Sequence, residues 1–140
     1  MKIIIPGVPV GKGRPKFSTF RGYAKAYTPE KTVNYENLVK MTFQAAGFKP
    51  FEKDAQLRAE ITAYFPIPKS TSKKKRAEMQ NGYIMHTKKP DADNIAKSIL
   101  DALNGLAYYD DSQVCELGVC KMYSDEPRAE ITIKVLNAIS

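Results

Sequence analysis

The segment Lys89-Pro90-Asp91-Ala92-Asp93-Asn94-Ile95-Ala96-Lys97, followed downstream by Asp110-Asp111, holds the residues best suited to chemistry. Two carboxylates one residue apart, a lysine four residues on and a further acid are the parts that hold divalent metal beside a phosphodiester. If Asp91 and Asp93 lie in extended chain they point the same way, with Cα atoms ~6–7 Å apart. Their oxygens could then converge on one Mg²⁺, which prefers oxygen at ~2.0–2.1 Å, or on a pair of ions ~3.5–4 Å apart. Lys97 would project from the same side of a helix as Asp93, where its ammonium could steady charge growing on phosphoryl oxygens. A metal-dependent nuclease is the chemistry these residues suggest.

Each residue also has a plainer role open to it. Asp93 suits a helix N-cap, a role that contributes ~0.5–2 kcal/mol, and Asp91 favours the positive end of a helix. Lys97 could pair with Asp93 or Asp101, and Asp110-Asp111 could form a loop turn. What these roles leave unexplained is why the acids and the lysine all fall between positions 91 and 111 of an otherwise basic chain.

The elements around this cluster can be read from pattern. Pro90 pushes Lys89 toward extended geometry, so Asp91 should be extended and Asp93 should sit at the mouth of a helix. That helix is expected over 94–104, with Ile95, Ile99, Leu100 and Leu103 at helical spacing and Gly105 as its C-terminal cap. Strands over 114–122 and 129–135, joined by Ser124-Asp125-Glu126-Pro127, read as an antiparallel hairpin. Upstream, residues 2–8 suit a strand, ended by a cluster of prolines and glycines. Residues 9–28 read as a long basic loop. In it Lys12, Arg14, Lys16, Arg21 and Lys25 alternate with Phe17, Phe20, Tyr23 and Tyr27, a mixture suited to tracking a nucleic-acid backbone. Gly11-Lys12-Gly13 lacks the spacing of a nucleotide phosphate loop. Thr28 as N-cap and Pro29 at the first position should open a helix that buries Leu38, Met41, Thr42 and Ala45 and ends at Gly47. Residues 56–66 alternate as a half-exposed strand with Leu57, Ala59, Ile61, Ala63 and Phe65 on one face. Ser70 or Thr71 should cap a short helix carrying Lys73, Lys74, Lys75 and Arg76, a candidate phosphate clamp with Lys88 and Lys89.

At 140 residues and 43% hydrophobic content, the chain fits one domain over 1–140. Its net charge of +7 is unevenly spread. Residues 1–90 hold 18 Lys/Arg against 6 Asp/Glu, a net +12, while residues 91–140 hold 4 against 9, a net −5. The first part would draw a polyanion; the second would need cations before phosphate could approach. No apolar run suits a signal peptide or a membrane span, so a cytoplasmic protein is expected. Cys115 and Cys120 lie about 16 Å apart in an expected strand and cannot bridge, so two buried free thiols are expected. With His86 the only histidine, a four-ligand zinc site of cysteine and histidine cannot be assembled.

Three segments together resemble a known family. Lys89-Pro90-Asp91-x-Asp93-Asn94-x-x-Lys97, Leu100-Asp101-Ala102-Leu103-Asn104-Gly105 and Tyr109-Asp110-Asp111-Ser112-Gln113-Val114 are similar to the RusA Holliday junction resolvases, small endodeoxyribonucleases common in prophages. Gly7-x-Pro9-x-Gly11-Lys12-x-Arg14-Pro15 and Tyr27-Thr28-Pro29 carry the likeness to the amino-terminal part. The resemblance implies a RusA-like α+β domain, a mixed sheet packed with helices, acting as a homodimer on four-way branched DNA. It implies Mg²⁺ or Mn²⁺ held by Asp91, Asp93 and Asp111, with Lys97 as the catalytic lysine and Asp110 as a supporting acid. Residues 66–88 look longer than the corresponding connection in that family. Two alternatives stay open: a branched-DNA-binding module that does not cut, and a metal-dependent phosphodiesterase with another nucleic-acid substrate.

Overall fold

The computed structural model describes residues 1–136 and, within them, every side chain except that of Phe20; positions 137–140 of the expected domain lie outside the described residues. Six strands and three helices follow in the order β1 (Lys2–Pro6), β2 (Lys16–Phe20), β3 (Tyr23–Tyr27), α1 (Glu30–Ala46), β4 (Leu57–Pro66), α2 (Lys73–Gln80), α3 (Ala92–Leu103), β5 (Val114–Ser124) and β6 (Arg128–Val135). A 3-10 turn, Asp111–Gln113, leads into β5. The fold is α+β, with a mixed four-stranded sheet in the order β1-β6-β4-β5 and a separate two-stranded ribbon of β2 and β3. No helix among the described residues is long and apolar enough to cross a membrane.

Strict alternation makes β4 the centre of the sheet. Leu57, Ala59, Ile61, Ala63 and Phe65 all point into the core, as expected. A one-residue slip would turn that whole row to solvent, which fixes the register with both neighbours. Ile3 and Ile5 of β1 and Ile131 and Ile133 of β6 complete the apolar face, covered by α1 and α3. The other face is polar: Arg58 reaches Glu60 (2.8 Å) and Glu116 (3.2 Å), and Arg128 lies over the Tyr64 ring.

Several elements differ from expectation. β5 and β6 are not a hairpin. β4 lies between them, parallel to β5 and antiparallel to β6. Residues 125–127 step over the end of β4 at Pro66, and four Cα steps of ~3.3 Å are enough to span two strand spacings of ~4.8 Å. The basic stretch 9–28 is not a continuous loop, because β2 and β3 pair within it around Arg21 (φ 52°) and Gly22 (φ 81°). Positive φ at both central residues is the turn whose twist suits a two-residue hairpin. In α1 the N-cap is Pro29, not Thr28, and the buried stripe is Thr32, Tyr35, Val39 and Phe43. Met41 and Ala45 face solvent, because the aromatic side chains of Tyr35 and Phe43 bury more apolar area and set the rotation. Ser72, whose hydroxyl accepts from Lys75 N–H, caps α2 in place of Ser70 or Thr71. Both cysteines are exposed and free, because β5 is an edge strand and bulges where Cys115 sits. Gly47 ends α1 in the left-handed conformation, as expected.

Candidate active site

α3 is the platform. Ile95, Ile99 and Leu103 are completely buried, so the helix is clamped along one side and its rotation is fixed. The helix begins two residues earlier than its spacing predicts. Asp91, extended at φ −68° and ψ 151°, takes the N-cap position, and Asp93 falls in the first helical turn. The Asp91 carboxylate does not cap the helix, although the Asp91 carbonyl accepts from Ile95 N–H (3.1 Å). Asp91, Asp93 and Lys97 are all exposed. Asp93 therefore is not the N-cap, and no ion pair among the described residues joins Lys97 to Asp93 or Asp101.

Asp101 is engaged by Lys12. The Lys12 ammonium lies 2.9 Å from Glu36 of α1 and 3.2 Å from Asp101 of α3, tying the two helices together. Burial pulls the Lys12 pKa down, but hydrogen bonds and charge from Glu36 and Asp101 outweigh it and raise the value. Lys12, expected to contact DNA, therefore has its charge engaged within the fold.

The backbone around Lys12 threads between the starts of α1 and α3. Lys12 N–H donates to the Asn94 carbonyl (2.8 Å), and Gly13 N–H donates to the Thr32 hydroxyl (2.9 Å). The Ser98 hydroxyl donates to the Val10 carbonyl (2.7 Å). Thr32 and Ser98 are buried polar side chains, and each satisfies this segment. The two glycines are needed for the close approach: a Cβ at Gly11 would lie 2.7 Å from Pro90 Cβ, and one at Gly13 would lie 2.9 Å from Pro29 Cγ. The Gly-Lys-Gly segment thus works by steric clearance.

The threading leaves an open cleft of about 720 Å³ walled by Gly11, Arg14, Lys31, Lys89, Asp91 and Asn94, among others. Both α1 and α3 begin at its wall, so the positive ends of two helix dipoles add to Arg14, Lys31 and Lys89, while Lys12, which also lines it, is held by Glu36 and Asp101. An anion is favoured there, in a cleft also lined by Asp91, whose carboxylate has no ion-pair partner among the described residues. Lys31 is the residue that sequence reasoning missed, and its only signal was a place in the first turn of α1.

Asp110 and Asp111, though adjacent, are held differently. The Asp110 side chain accepts from Ser112 N–H (3.1 Å), and hydrogen bonding from the Ser112 side chain, then from that N–H, holds its pKa below the usual carboxylate range. The Gln113 side chain closes the capping box by accepting from Asp110 N–H, and its amide donates to the carbonyls of Glu52 (2.8 Å) and Ala55 (3.1 Å). Gln113, also missed, latches the turn to the chain before β4. Asp111 is half-buried and has no such bond among the described residues. Its carbonyl accepts from Val114 N–H, and its charge acts on Tyr108, a buried phenol that donates to the Leu100 carbonyl (2.6 Å). Burial pushes the Tyr108 pKa up, and the charges of Asp111, Asp101 and Asp110 push it further.

Oxygen donors of this kind fit a hard divalent cation in chemistry. In geometry, no three His, Cys, Asp or Glu side chains among the described residues converge closely enough to hold an ion. The structure therefore brings Asp91 and Asp93 to the start of α3 without gathering Asp111 into the same group. Of the expected DNA contacts, Lys12, Arg14 and Lys89 line the cleft, Lys12 with its ammonium held by Glu36 and Asp101, whereas Lys16, Lys73, Lys74, Lys75, Arg76 and Lys88 do not. Arg76 pairs with Asp125 (3.1 Å), and the Lys88 carbonyl accepts from the Lys121 ammonium.

Comparison with known proteins gives the family of this α+β chain. The model of the endodeoxyribonuclease RusA family matches residues 6–134, and the chain belongs to that family. It is 38% identical over 141 residues to the uncharacterized protein YqaN of Bacillus subtilis (strain 168), covering 99% of this chain and 98% of that one. It is 32% identical over 117 residues to the crossover junction endodeoxyribonuclease RusA of Lactococcus phage r1t, covering 81% of this chain and 79% of the phage protein.

Proposed function

We propose that the chain is a metal-dependent, structure-selective endodeoxyribonuclease that resolves Holliday junctions by paired symmetrical nicks during recombination and repair. The observation that carries this reading is the cleft lined by Arg14, Lys31 and Lys89 together with Asp91 at the start of α3. Family membership and the printed name of the phage relative support the same substrate.

Arg14, Lys31 and Lys89, with the two helix starts, would bind the phosphodiester and orient it against Asp91. Asp91 and Asp93 would hold Mg²⁺ or Mn²⁺ directly, with bound water completing the coordination and linking it to Asp111 as a third acid. The cation supplies Lewis-acid charge and makes a water more acidic at neutral pH. Lys97, one turn beyond Asp93, would balance charge that develops on the phosphoryl oxygens. Asp110 and Gln113 would position Asp111 by fixing the turn that carries it. Cutting two strands symmetrically needs two such sites, so a homodimer belongs to the proposal.

A second reading, a branched-DNA-binding module that does not cut, draws on the failure of three acids to converge among the described residues. Cleavage of a labelled four-way junction, beside linear duplex and single strand of matching sequence, separates the two. Paired nicks confined to the junction, present with Mg²⁺ and lost with chelator, are expected. Binding without nicking would replace the enzyme by the module, and equal cutting of the linear controls would remove the junction as substrate.

A further inference from the structure

The ribbon of β2 and β3 is the one strand pair among the described residues that belongs to no larger sheet. Every residue from Lys16 to Tyr27 whose side chain is described is exposed. Phe17 is 73% exposed, Tyr23 78% and Tyr27 47%, large apolar surfaces that soluble chains normally cover. An isolated two-stranded ribbon is marginally stable in water, so a partner is needed to hold it.

Register decides what the ribbon presents. Lys16 lies opposite Tyr27 and Ser18 opposite Lys25, and side chains two apart share a face. One face therefore carries Lys16, Lys25, Tyr23 and Tyr27, cations interleaved with aromatic rings. No acid occurs from residue 7 to residue 29, whereas the segment holds five Lys/Arg. Such a face is complementary to a polyanion with exposed rings. Both feet of the ribbon stand at the cleft: Arg14 lines it two residues before β2, and Pro29 lines it two residues after β3. From there a five-residue strand reaches about 17 Å, so the ribbon would lie along nucleic acid whose phosphate occupied the cleft.

We propose that this face is a branch-reading arm: Tyr23 and Tyr27 stack on bases unstacked at the branch point, while Lys16 and Lys25 hold the flanking phosphates. The proposal rests on the nuclease reading for its substrate. Fully paired duplex offers no free base faces, so stacking would add selectivity for branches, which charge alone does not supply.

The test compares wild type, Tyr23→Ala/Tyr27→Ala and Lys16→Ala/Lys25→Ala, with circular dichroism confirming the fold, which the ribbon does not help to build. Binding is measured to a four-way junction carrying 2-aminopurine at the branch and to linear duplex, with cleavage and sedimentation in parallel. The tyrosine pair should weaken junction binding at least about tenfold, abolish quenching of 2-aminopurine and leave duplex binding unchanged. The lysine pair should lower the log–log salt slope by up to about 1.8 on both DNAs. Unchanged junction affinity in the tyrosine variant, or a loss of dimer that accounts for its weakness, would overturn the arm. If wild type binds branched DNA without cutting while the tyrosine variant loses that binding, the arm stands and the nuclease reading falls. Wild type without affinity for branched DNA would sink both.

Discussion

The acids at the start of α3 and the cations of residues 9–28 are neighbours across one cleft, yet they are built in opposite ways. Asp91 and Asp93 ride on a helix whose other side is fully buried, so their positions are fixed by core packing. Every ribbon side chain among the described ones is exposed, and the chain leading into its first foot is pinned by the Lys12 and Gly13 N–H groups, the latter to the Thr32 hydroxyl. Groups that act on a bond need fixed geometry, while groups that grip a variable polymer gain from adapting to it. The contrast assigns chemistry to the buried platform and recognition to the exposed arm.

Truncating the platform should have the largest effect on stability. Ile99→Ala opens a cavity beneath α3 and should cost ~2–5 kcal/mol, read as a lower denaturant midpoint. A loss below 1 kcal/mol would mean that α3 is not the rigid member of the pair. Gly11→Ala strikes the joint between the two regions. The new Cβ must displace Pro90, next to Asp91, and the overpacking should cost ~1–3 kcal/mol. Cutting should fall further than stability alone explains, and an unaffected nuclease rate would separate the glycine segment from the site.

Smaller effects sharpen the boundary. Replacing Lys73, Lys74 and Lys75 by alanine, with Arg76 left on Asp125, should lower the salt slope of DNA binding by up to about 0.9 per lost phosphate contact. An unchanged slope would confine recognition to the cleft and the ribbon. The smallest effect concerns His86, which stacks on Phe65 with centroids 3.8 Å apart and buries an Nδ1 that has no partner among the described residues. Burial, then the charges of Lys121 and Lys88, hold its pKa below the ordinary 6.5. The unfolded chain therefore binds the proton more readily. The stabilisation is complete above about pH 6.5 and is lost as pH falls through the folded value. His86→Phe should flatten the melting temperature between pH 7.5 and 5, and an equally steep fall in that variant would assign the acid sensitivity to other groups.

What could be read from the chain follows the same division. β4 and α3 were legible because burial on one side imposes a period, 2.0 in one and 3.6 in the other. The placing of Asp91 and Asp93 at the start of a helix was legible because the two are close in sequence and follow Pro90. The ribbon was not, since its described side chains are exposed on both faces and show no alternation, and its signal was the Arg21-Gly22 turn hidden among other prolines and glycines. The insertion of β4 between β5 and β6 was not legible either, because periodicity says which face is buried and never which strand is the neighbour. Lys12 was read as a DNA contact when its partners, Glu36 and Asp101, lie far along the chain. Lys31 passed unnoticed because only the packing of α1 against the Gly11–Gly13 segment brings it to the cleft that Asp91 also lines.

The central claim, that the carboxylates at the start of α3 perform the cut while the basic surfaces bind, is tested most directly by Asp91→Asn on a four-way junction. Cleavage with Mg²⁺ and the dissociation constant in chelator would be measured on the same preparation. The account predicts cleavage lowered at least about a thousandfold, a barrier increase of about 4 kcal/mol, with affinity unchanged or slightly higher. Cutting at the wild-type rate would contradict it and move the chemistry away from α3.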